Sequence, residues 1–265
     1  MTDLILLKVG TGVLTKANDG TLDRAALVHL VAGIAGLIRS GRRCLLVSSG
    51  AVGAGLAAMG LGEYPADTPT RQACAAVGQA ALMQSYSGLF AHFEITVAQV
   101  LLTAADLATP ERADHITTTF RRLLVEPRIL PIINENDSVA VEELKFGDND
   151  MLSVRVGKLI GASRIILLTS ADGLLDRDTN EVIPEVTDIA AVASHVRGER
   201  GRFSMGGMAS KLEAIRFAVE AGIETHIANG RHPERLADIV AGRGISTRFA
   251  PAATPATGPT TSQTP

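Results

Sequence analysis

The stretch LILLKVGTG, residues 4–12, opens with a short continuous apolar run and ends in a lysine and a glycine-rich turn. A second run of the same kind, CLLVSSG at residues 44–50, ends in two serines and a glycine. Continuous apolar runs are typical of strands whose two faces are both covered by helices. Between these runs, apolar residues from Leu27 to Ile38 recur at the 3.6-residue period of a helix. Residues 4–50 therefore predict a β-α-β unit.

The alternation of strands and helices continues along the chain. Asp23 is the predicted N-cap of the first helix, and Gly41 is predicted to end it. Strands that alternate with helices predict a three-layer α-β-α sandwich with a mainly parallel central sheet, in which ligands bind along the edge where the strands end. Further apolar runs predict strands at 96–100, 129–133, 165–169 and 225–228, and helical spacing predicts helices at 70–90, 111–125, 152–160 and 209–221.

Composition and charge exclude several classes of protein. The 265 residues carry a net charge of −3 with scattered basic residues, no Trp and two Tyr, so a nucleic-acid partner is not expected. No apolar stretch approaches the roughly 20 residues of a membrane span, and the first residues lack the basic segment of a signal peptide. Cys44 and Cys74 form no disulfide framework, which favours a cytoplasmic location. The six histidines are dispersed, which argues against a histidine-based metal site.

Three segments fall outside the strand–helix pattern. Residues 139–146 alternate apolar and charged side chains, as in a small exposed hairpin, and residues 198–207 have the Gly, Arg and Ser content of a mobile loop. Residues 250–265 consist of Ala, Pro, Thr, Ser, Gly and Gln, which bury little apolar surface, so a disordered tail is expected. One α/β domain is thus predicted over residues 1–249.

Two predicted turns at strand ends are candidate anion sites. After the first strand, Lys8 and the glycines Gly10 and Gly12 offer a cation and a backbone that a phosphate can approach, although neither P-loop nor dinucleotide spacing is present. A glycine-rich turn beside a lysine explains the same residues without a ligand. After the second strand, Ser49 and Gly50 precede small residues at the start of a predicted helix, which suits a phosphate or a carboxylate. An ordinary serine N-cap explains that segment equally well.

Acidic and amide residues cluster in two segments, NEND at 134–137 and GDND at 147–150. Such a cluster can hold an ammonium group, orient lysines or help to place Mg²⁺. Turns rich in Asp and Asn are common, so each segment alone is a weak signal and the pair is a stronger one.

A fourth segment, SMGGMASK at 204–211, is a glycine-rich loop that opens a helix with Lys211 in its first turn. A cation there opposes the helix macrodipole, which an anion bound at the same place would offset. A solvated lysine on a helix face is the alternative.

These four segments, in this order and spacing, resemble those of the amino-acid kinase family, and the resemblance covers residues 3–249. The two acidic segments are most similar to those of family members that phosphorylate the side-chain carboxylate of free L-glutamate. Gly78-Gln79 and residues 99–103 are similar to those members as well. The resemblance implies the fold of that family, ATP and Mg²⁺ as cofactors with the magnesium held mainly by the nucleotide, and a place in proline biosynthesis.

The resemblance also implies roles for individual residues. Lys8 and Lys211 would neutralise the transferring phosphoryl group and the leaving β-phosphate, and Asp150 would hold both lysines in position. The residues expected to bind the substrate are Ser49, Gly50, Asn134, Asp137, Asp148 and Asn149. The residues expected to bind the nucleotide are Lys8, Gly10, Thr11, Thr169, Ser170, Met205, Gly206, Gly207, Met208, Ala209, Ser210 and Lys211.

The chain departs from the family pattern on the nucleotide side. Ser170 stands where the family usually has Asp, and Ser204-Met205 stands where it often has Gly-Thr. Many members carry a C-terminal RNA-binding-like domain, so the chain resembles the short form. The resemblance further implies inhibition by proline, delivery of the product to glutamate-5-semialdehyde dehydrogenase, and a homodimer or homotetramer. The predicted helix 70–90 would either face a partner subunit or belong to the core.

Three other functions fit part of the pattern. Another kinase of this fold would act on acetylglutamate, aspartate, carbamate or a nucleoside monophosphate. The acidic segments favour a substrate with a free ammonium group, which acetylglutamate and carbamate lack. Aspartate also has this group, so the length of the pocket decides between aspartate and glutamate. A non-catalytic sensing or storage protein would not need Lys8, Asp150 and Lys211 together. A dinucleotide-dependent oxidoreductase is disfavoured because the first turn lacks the required glycine spacing.

Overall fold

The computed structural model describes residues 3–140, 149–193 and 207–251. Within these residues one sheet contains eight strands, which are β1 (Leu4–Val9), β2 (Arg43–Val47), β3 (Thr96–Leu102), β4 (Ile129–Glu135), β5 (Arg164–Thr169), β6 (Glu185–Val186), β7 (Glu224–Asn229) and β8 (Thr247–Phe249). Their spatial order is β3-β4-β2-β1-β5-β7-β8-β6, and β7–β8 is the antiparallel pair among otherwise parallel neighbours. The prediction of a mainly parallel sheet is confirmed.

Helices cover both faces of this sheet. The side chains of Ile5 and Leu7 point to one face of β1 and pack in a core cluster with the helices at residues 24–39 and 68–91. Leu4 and Leu6 pack in a second cluster with the helices at residues 110–125, 149–160 and 208–220. The predicted three-layer sandwich is therefore confirmed. The helices of the described residues are α1 (Thr11–Leu14), α2 (Arg24–Arg39), α3 (Ala51–Ala58), α4 (Thr68–Ala91), α5 (Ala104–Ala108), α6 (Pro110–Val125), α7 (Asn149–Ile160), α8 (Ile189–Ala193), α9 (Met208–Glu220) and α10 (Leu236–Val240).

The ends of α2 follow the sequence prediction. The Asp23 side chain accepts hydrogen bonds from the N–H groups of Ala25 and Ala26, both at 3.1 Å. Gly41 follows the helix with φ of 87°, a left-handed conformation that glycine adopts without steric cost. Both predicted ends of this helix are confirmed.

The other predicted strands and helices are also present, with ends close to the predicted places. The largest difference is at α7, which begins at Asn149 rather than Leu152, so Asn149 and Asp150 lie in its first turn. The sequence prediction missed β6, β8, α1, α5, α8 and α10. Each of these has five residues or fewer, too few to show the period of a strand or a helix.

The centre of the sheet positions the candidate site. β2 and β5 flank β1 on opposite sides, and Lys8 is paired with Val47 of one neighbour and Leu167 of the other. All three strands are parallel, so the turns that follow them meet at one edge of the sheet. Ligands of open α/β sheets bind where connections leave a central strand in opposite directions.

The pairing of α3 with α4 depends on two glycines. A Cβ atom at Gly78 would lie 1.8 Å from the carbonyl oxygen of Ala51, and one at Gly55 would lie 2.0 Å from that of Cys74. Only hydrogen at these positions allows the two backbones to touch. The buried stripe of α4 runs from Cys74 through Gly78 to Phe90, so this face of the helix belongs to the core.

An ion-pair network lies at the opposite edge, where β5 and β7 begin. Arg164 Nε lies 2.7 Å from Glu224 Oε1, and the Arg248 guanidinium contacts the other oxygen of the same carboxylate at 2.7 Å. His226 Nε2 lies 3.1 Å from Glu224 Oε1. Burial alone would raise the pKa of Glu224, but the bonds from His226 and Arg248 outweigh it and lower this pKa to about 2. Glu224 is therefore anionic in the folded protein at neutral pH.

Several predictions fall on residues that the structure does not describe. Residues 141–146 of the predicted hairpin, 198–206 of the predicted loop and 252–265 of the predicted tail lie outside the described ranges. Among the described helices, none combines the length and the apolar character that crossing a bilayer requires.

Candidate active site

One buried carboxylate lies between two lysines at the carboxyl edge of the sheet. Lys8 comes from β1, Asp150 from the first turn of α7 and Lys211 from α9. Lys8 Nζ is 2.7 Å from Asp150 Oδ1, and Lys211 Nζ donates a hydrogen bond to the other carboxylate oxygen, Oδ2. Lys8 is 4% exposed and Asp150 is fully buried. The structure thus brings together the three residues predicted to be catalytic, although they are widely separated in the sequence.

The charge of this trio is unbalanced. Burial alone would raise the pKa of Asp150, but the ammonium groups of Lys8 and then Lys211 outweigh it and hold that pKa well below its usual range. Asp150 is therefore ionised at neutral pH, and two cations against one anion leave a net charge of +1. Two ammonium groups around one carboxylate make this region locally positive, which favours the approach of an anion.

The turn after β1 lies beside this charge. A Cβ atom at Gly10 would be 3.8 Å from Lys8 Nζ, and one at Gly12 would meet nothing within 4 Å. The Gly10 N–H donates a hydrogen bond to the carbonyl oxygen of Leu168 on β5 at 3.1 Å, so this donor is already used within the sheet. The open side of the turn is therefore at Thr11 and Gly12, where α1 begins.

A second cluster joins the turn after β2 to both acidic segments. Asn149 Nδ2 donates to the carbonyl oxygen of Ser48 at 2.8 Å, to Ser49 Oγ at 3.0 Å and to Asn134 Oδ1 at 3.0 Å. Ser49 is 8% exposed and Asn134 is 2% exposed. The N-cap of α3 is Gly50, with φ of 91° and no side-chain cap, so the alternative of an ordinary serine N-cap does not hold.

Asp137 is the remaining described residue of the predicted substrate set. It is half-buried in the turn after β4 and acts electrostatically on Tyr64. Burial raises the pKa of the Tyr64 hydroxyl, and the Asp137 carboxylate adds to that rise. Asp148, the last member of the predicted set, lies outside the described residues.

The predicted nucleotide residues occupy two neighbouring regions. Thr169 ends β5 one step beyond Leu168, which pairs with Val9, so Thr169 and Ser170 lie beside the turn after β1. On α9, Gly207 is the N-cap and its carbonyl oxygen accepts from Ser210 Oγ at 2.9 Å. The described members of the second region are Gly207, Met208, Ala209, Ser210 and Lys211, whereas Met205 and Gly206 lie outside the described residues.

Three further side chains touch the site and were missed in the sequence. The Tyr86 hydroxyl lies 3.0 Å from Ser48 Oγ, and Arg231 donates to the carbonyl oxygen of Gly12 at 2.9 Å. Gln79 Oε1 accepts from Asn134 Nδ2 at 2.9 Å. The resemblance at Gly78-Gln79 was a signal for the last of these, whereas Tyr86 offered only its place on a buried helical stripe.

Comparison with known proteins shows which family the sequence of this chain matches. The model of the amino acid kinase family matches residues 3–229. The chain is 42% identical over 258 residues to a glutamate 5-kinase of Nostoc punctiforme, which covers 95% of the chain and 70% of the relative. A glutamate 5-kinase of Synechococcus elongatus is 43% identical over 257 residues, with 95% of the chain and 70% of the relative covered.

Solved structures share the fold at low sequence identity. Carbamate kinase from Giardia lamblia bound to AMP-PNP has a TM-score of 0.65 and 15% identity, covering 95% of this chain and 99% of that one. N-acetylglutamate synthase from Neisseria gonorrhoeae, complexed with coenzyme A and L-arginine, has a TM-score of 0.68 and 16% identity, covering 94% and 62%. At such identities the likeness shows the fold alone.

Proposed function

The chain belongs to the amino acid kinase family, and from that membership we propose that it catalyses the ATP-dependent phosphorylation of the γ-carboxylate of L-glutamate to L-glutamyl 5-phosphate. The observation that carries the proposal is the buried trio of Lys8, Asp150 and Lys211, whose net charge of +1 faces the edge of the sheet where ligands bind. The identity of 42% to a glutamate 5-kinase supports the choice of acceptor.

The reaction needs charge neutralisation more than proton transfer. A γ-carboxylate with an ordinary pKa of about 4.3 is ionised at neutral pH, so it attacks the γ-phosphate without a general base. Catalysis then depends on in-line placement and on cations that stabilise the developing charge. Lys8 and Lys211 are the cations of this scheme, acting on the transferring phosphoryl group and on the leaving β-phosphate. Asp150 keeps both ammonium groups in place.

Glutamate occupies the second cluster in this proposal. Ser49 and Gly50 precede α3, Asn134 lies near the end of β4, and Asn149 begins α7. Asn149 already contacts both Ser49 and Asn134. Asp137 supplies a carboxylate for the α-ammonium group of glutamate. Asp148 is proposed to bind the substrate as well. A free ammonium group distinguishes glutamate from acetylglutamate and carbamate.

ATP occupies the turn after β1 and the first turn of α9. The open side of the turn at Thr11 and Gly12 leaves room for phosphate oxygens, and Lys8 lies beneath it. Thr169 and Ser170 line the nucleotide site together with the stretch 205–211. In this proposal Mg²⁺ is held mainly by the nucleotide and arrives with it. Magnesium in such sites is held by one or two carboxylates plus substrate phosphates, and it neutralises charge on the phosphates.

The proposal extends to the cellular setting. Proline inhibits by occupying the glutamate cluster, since it carries the same α-carboxylate and ammonium groups. The product, an acyl phosphate, passes to glutamate-5-semialdehyde dehydrogenase in proline biosynthesis. Residues 1–249 form the kinase domain, and the protein works as a homodimer or homotetramer. Two buried free cysteines support a cytoplasmic location.

A coupled assay of ADP release with MgATP tests the reaction. L-Glutamate, N-acetylglutamate, L-aspartate and carbamate are offered separately, each with and without L-proline. Turnover confined to L-glutamate is expected. Turnover on another acceptor overturns the assignment of the glutamate cluster, and binding of ATP without any turnover supports a sensing protein instead.

The role of the lysines is tested with Lys211→Ala. Loss of an electrostatic stabiliser of a transition state lowers kcat by about 10²–10³. Near-complete turnover in Lys211→Ala contradicts the scheme. Lys158→Ala on α7 is a suitable control, because that ammonium group lies 5.1 Å from the centre of the Phe217 ring, outside the trio.

A further inference from the structure

Gln79 is the one residue of the Gly78-Gln79 motif whose side chain reaches the glutamate cluster. It lies on α4, is half-buried, and accepts a hydrogen bond through Oε1 from Asn134 Nδ2 at 2.9 Å. None of the roles assigned above includes it.

Main-chain groups determine which way each amide of the cluster points. Asn134 Oδ1 accepts from the N–H of Glu135 at 2.9 Å, and a main-chain N–H can only donate. Asn134 Nδ2 must therefore face Gln79, so the atom of Gln79 that faces Asn134 must be the oxygen. At the other end, Asn149 Nδ2 donates to the carbonyl oxygen of Ser48, which can only accept.

The same logic fixes the remaining atom of Asn149. Its Oδ1 faces away from Ser48 and is buried without a hydrogen-bond partner among the described residues. A buried acceptor of this kind costs free energy until a donor binds it. The amide orientations that the main chain sets therefore leave an acceptor suited to a ligand N–H, such as an ammonium group.

The backbone beneath Gln79 is held in place. The adjacent Gly78 packs against the backbone of Ala51 at the start of α3, so α4 cannot rotate without a collision. Gln79 therefore lies on the helix that also packs against the chain directly after Ser49 and Gly50. A side chain on such a support can orient its partner with little loss of entropy on binding.

We propose that Gln79 is a positioning residue for the acceptor substrate, because it holds the Asn134 side chain against Asn149 in the orientation that the main-chain groups set. The inference rests on the proposed function, because the substrate it positions is L-glutamate. It adds a specificity-determining residue to the cluster. Gln79 acts through its oxygen, so a carboxylate at this position can replace it and an aliphatic side chain cannot.

The test compares Gln79→Leu and Gln79→Glu with the wild type. Gln79→Leu leaves the buried Asn134 Nδ2 without a partner, which raises KM for L-glutamate about tenfold with KM for ATP unchanged. Gln79→Glu keeps an acceptor for Asn134 and restores KM to within about threefold of the wild type. Gln84→Leu, at an exposed position of the same helix, is the matched control and leaves both constants unchanged. Thermal unfolding midpoints show whether each variant is folded.

Each outcome decides the inference. An unchanged KM for L-glutamate in Gln79→Leu overturns it, as does an equal rise of both KM values, which indicates a general structural defect. A Gln79→Glu variant weaker than Gln79→Leu also overturns it, because the amide nitrogen of Gln79 would then be the important atom. If the wild type turns over another acceptor, the proposed function fails, and the same split of KM values for that acceptor still decides the role of Gln79. A wild type that neither turns over nor binds any acceptor in calorimetry overturns both.

Discussion

Replacement of Asp150 by asparagine removes the carboxylate that lies between Lys8 and Lys211. At an effective dielectric constant of 20, unit charges 2.7 Å apart, the separation of Lys8 Nζ and Asp150 Oδ1, attract by about 6 kcal/mol. The cost of burying the charges offsets much of that attraction. Removal of one partner from a buried ion pair nevertheless costs about 3–5 kcal/mol, because the remaining charge stays buried.

We therefore expect Asp150→Asn to be folded but destabilised. At about 2–4 °C per kcal/mol for a chain of this size, the unfolding midpoint falls by about 6–20 °C. The two ammonium groups then repel each other across a neutral amide and no longer point at one site, so kcat falls by about 10²–10³. Scanning calorimetry of the protein without nucleotide and the coupled ADP assay measure the two effects.

Asp238→Asn is the matched control, because it removes an Asp that pairs with Arg243 at 3.3 Å in solvent. Exposed pairs contribute about 0–1 kcal/mol, so its midpoint and its kcat are expected to stay close to those of the wild type. If Asp150→Asn behaves like Asp238→Asn in both assays, the carboxylate does not organise the lysines and the reasoning is refuted.

Three more predictions concern other parts of the molecule. Gly78→Ala forces a Cβ to within 1.8 Å of the Ala51 carbonyl oxygen, so it should lower the free energy of unfolding by about 3 kcal/mol and raise KM for glutamate. Urea unfolding measures this loss. Gly88→Ala is the control, because a Cβ there meets nothing within 4 Å and a small gain in stability is expected. Gly12→Ala likewise adds a methyl group to open space, so it should leave the unfolding midpoint unchanged and raise KM for ATP several-fold; an unchanged KM would place the phosphates elsewhere. The Glu224 pKa of about 2 in the folded state is below its unfolded value of about 4.5, so its stabilisation is present above pH 4.5 and is lost as pH falls towards 2. Glu224→Gln should therefore flatten the acid limb of stability between pH 5 and 2, and an unchanged slope in urea unfolding would count against the network.

Much of the fold was predictable because its elements have local signatures. β1 has the bounds that its apolar run predicts, and both ends of α2 follow from Asp23 and Gly41. The short strands and helices were missed because each has five residues or fewer, too few for a period to repeat along the sequence. The start of α7 was missed because Asn149 and Asp150 are poor helix formers, and their side chains are used by the site instead of by the core.

The candidate site was predicted only in part. Resemblance brought Lys8, Asp150 and Lys211 together as a set, and the structure shows how one carboxylate lies between two ammonium groups. It could not indicate that the Gly10 N–H is already bound to Leu168, because that bond depends on which strand lies beside β1. Arg231 reaches the Gly12 carbonyl across the sheet edge, and no periodicity marks such a contact.

The sequence by itself determined the class of fold, the order of its elements and the residue types of the site. It could do so because the burial of apolar side chains imposes a period of 2 or 3.6 on any stretch that forms an element, and this period is readable along the chain. Only the tertiary structure decided which side chains meet. The partner of Gln79, the orientation of the Asn134 and Asn149 amides and the net charge around Asp150 depend on strand order and on the close contact at Gly78. Those contacts are set by packing over the whole core, and they leave no period in the sequence.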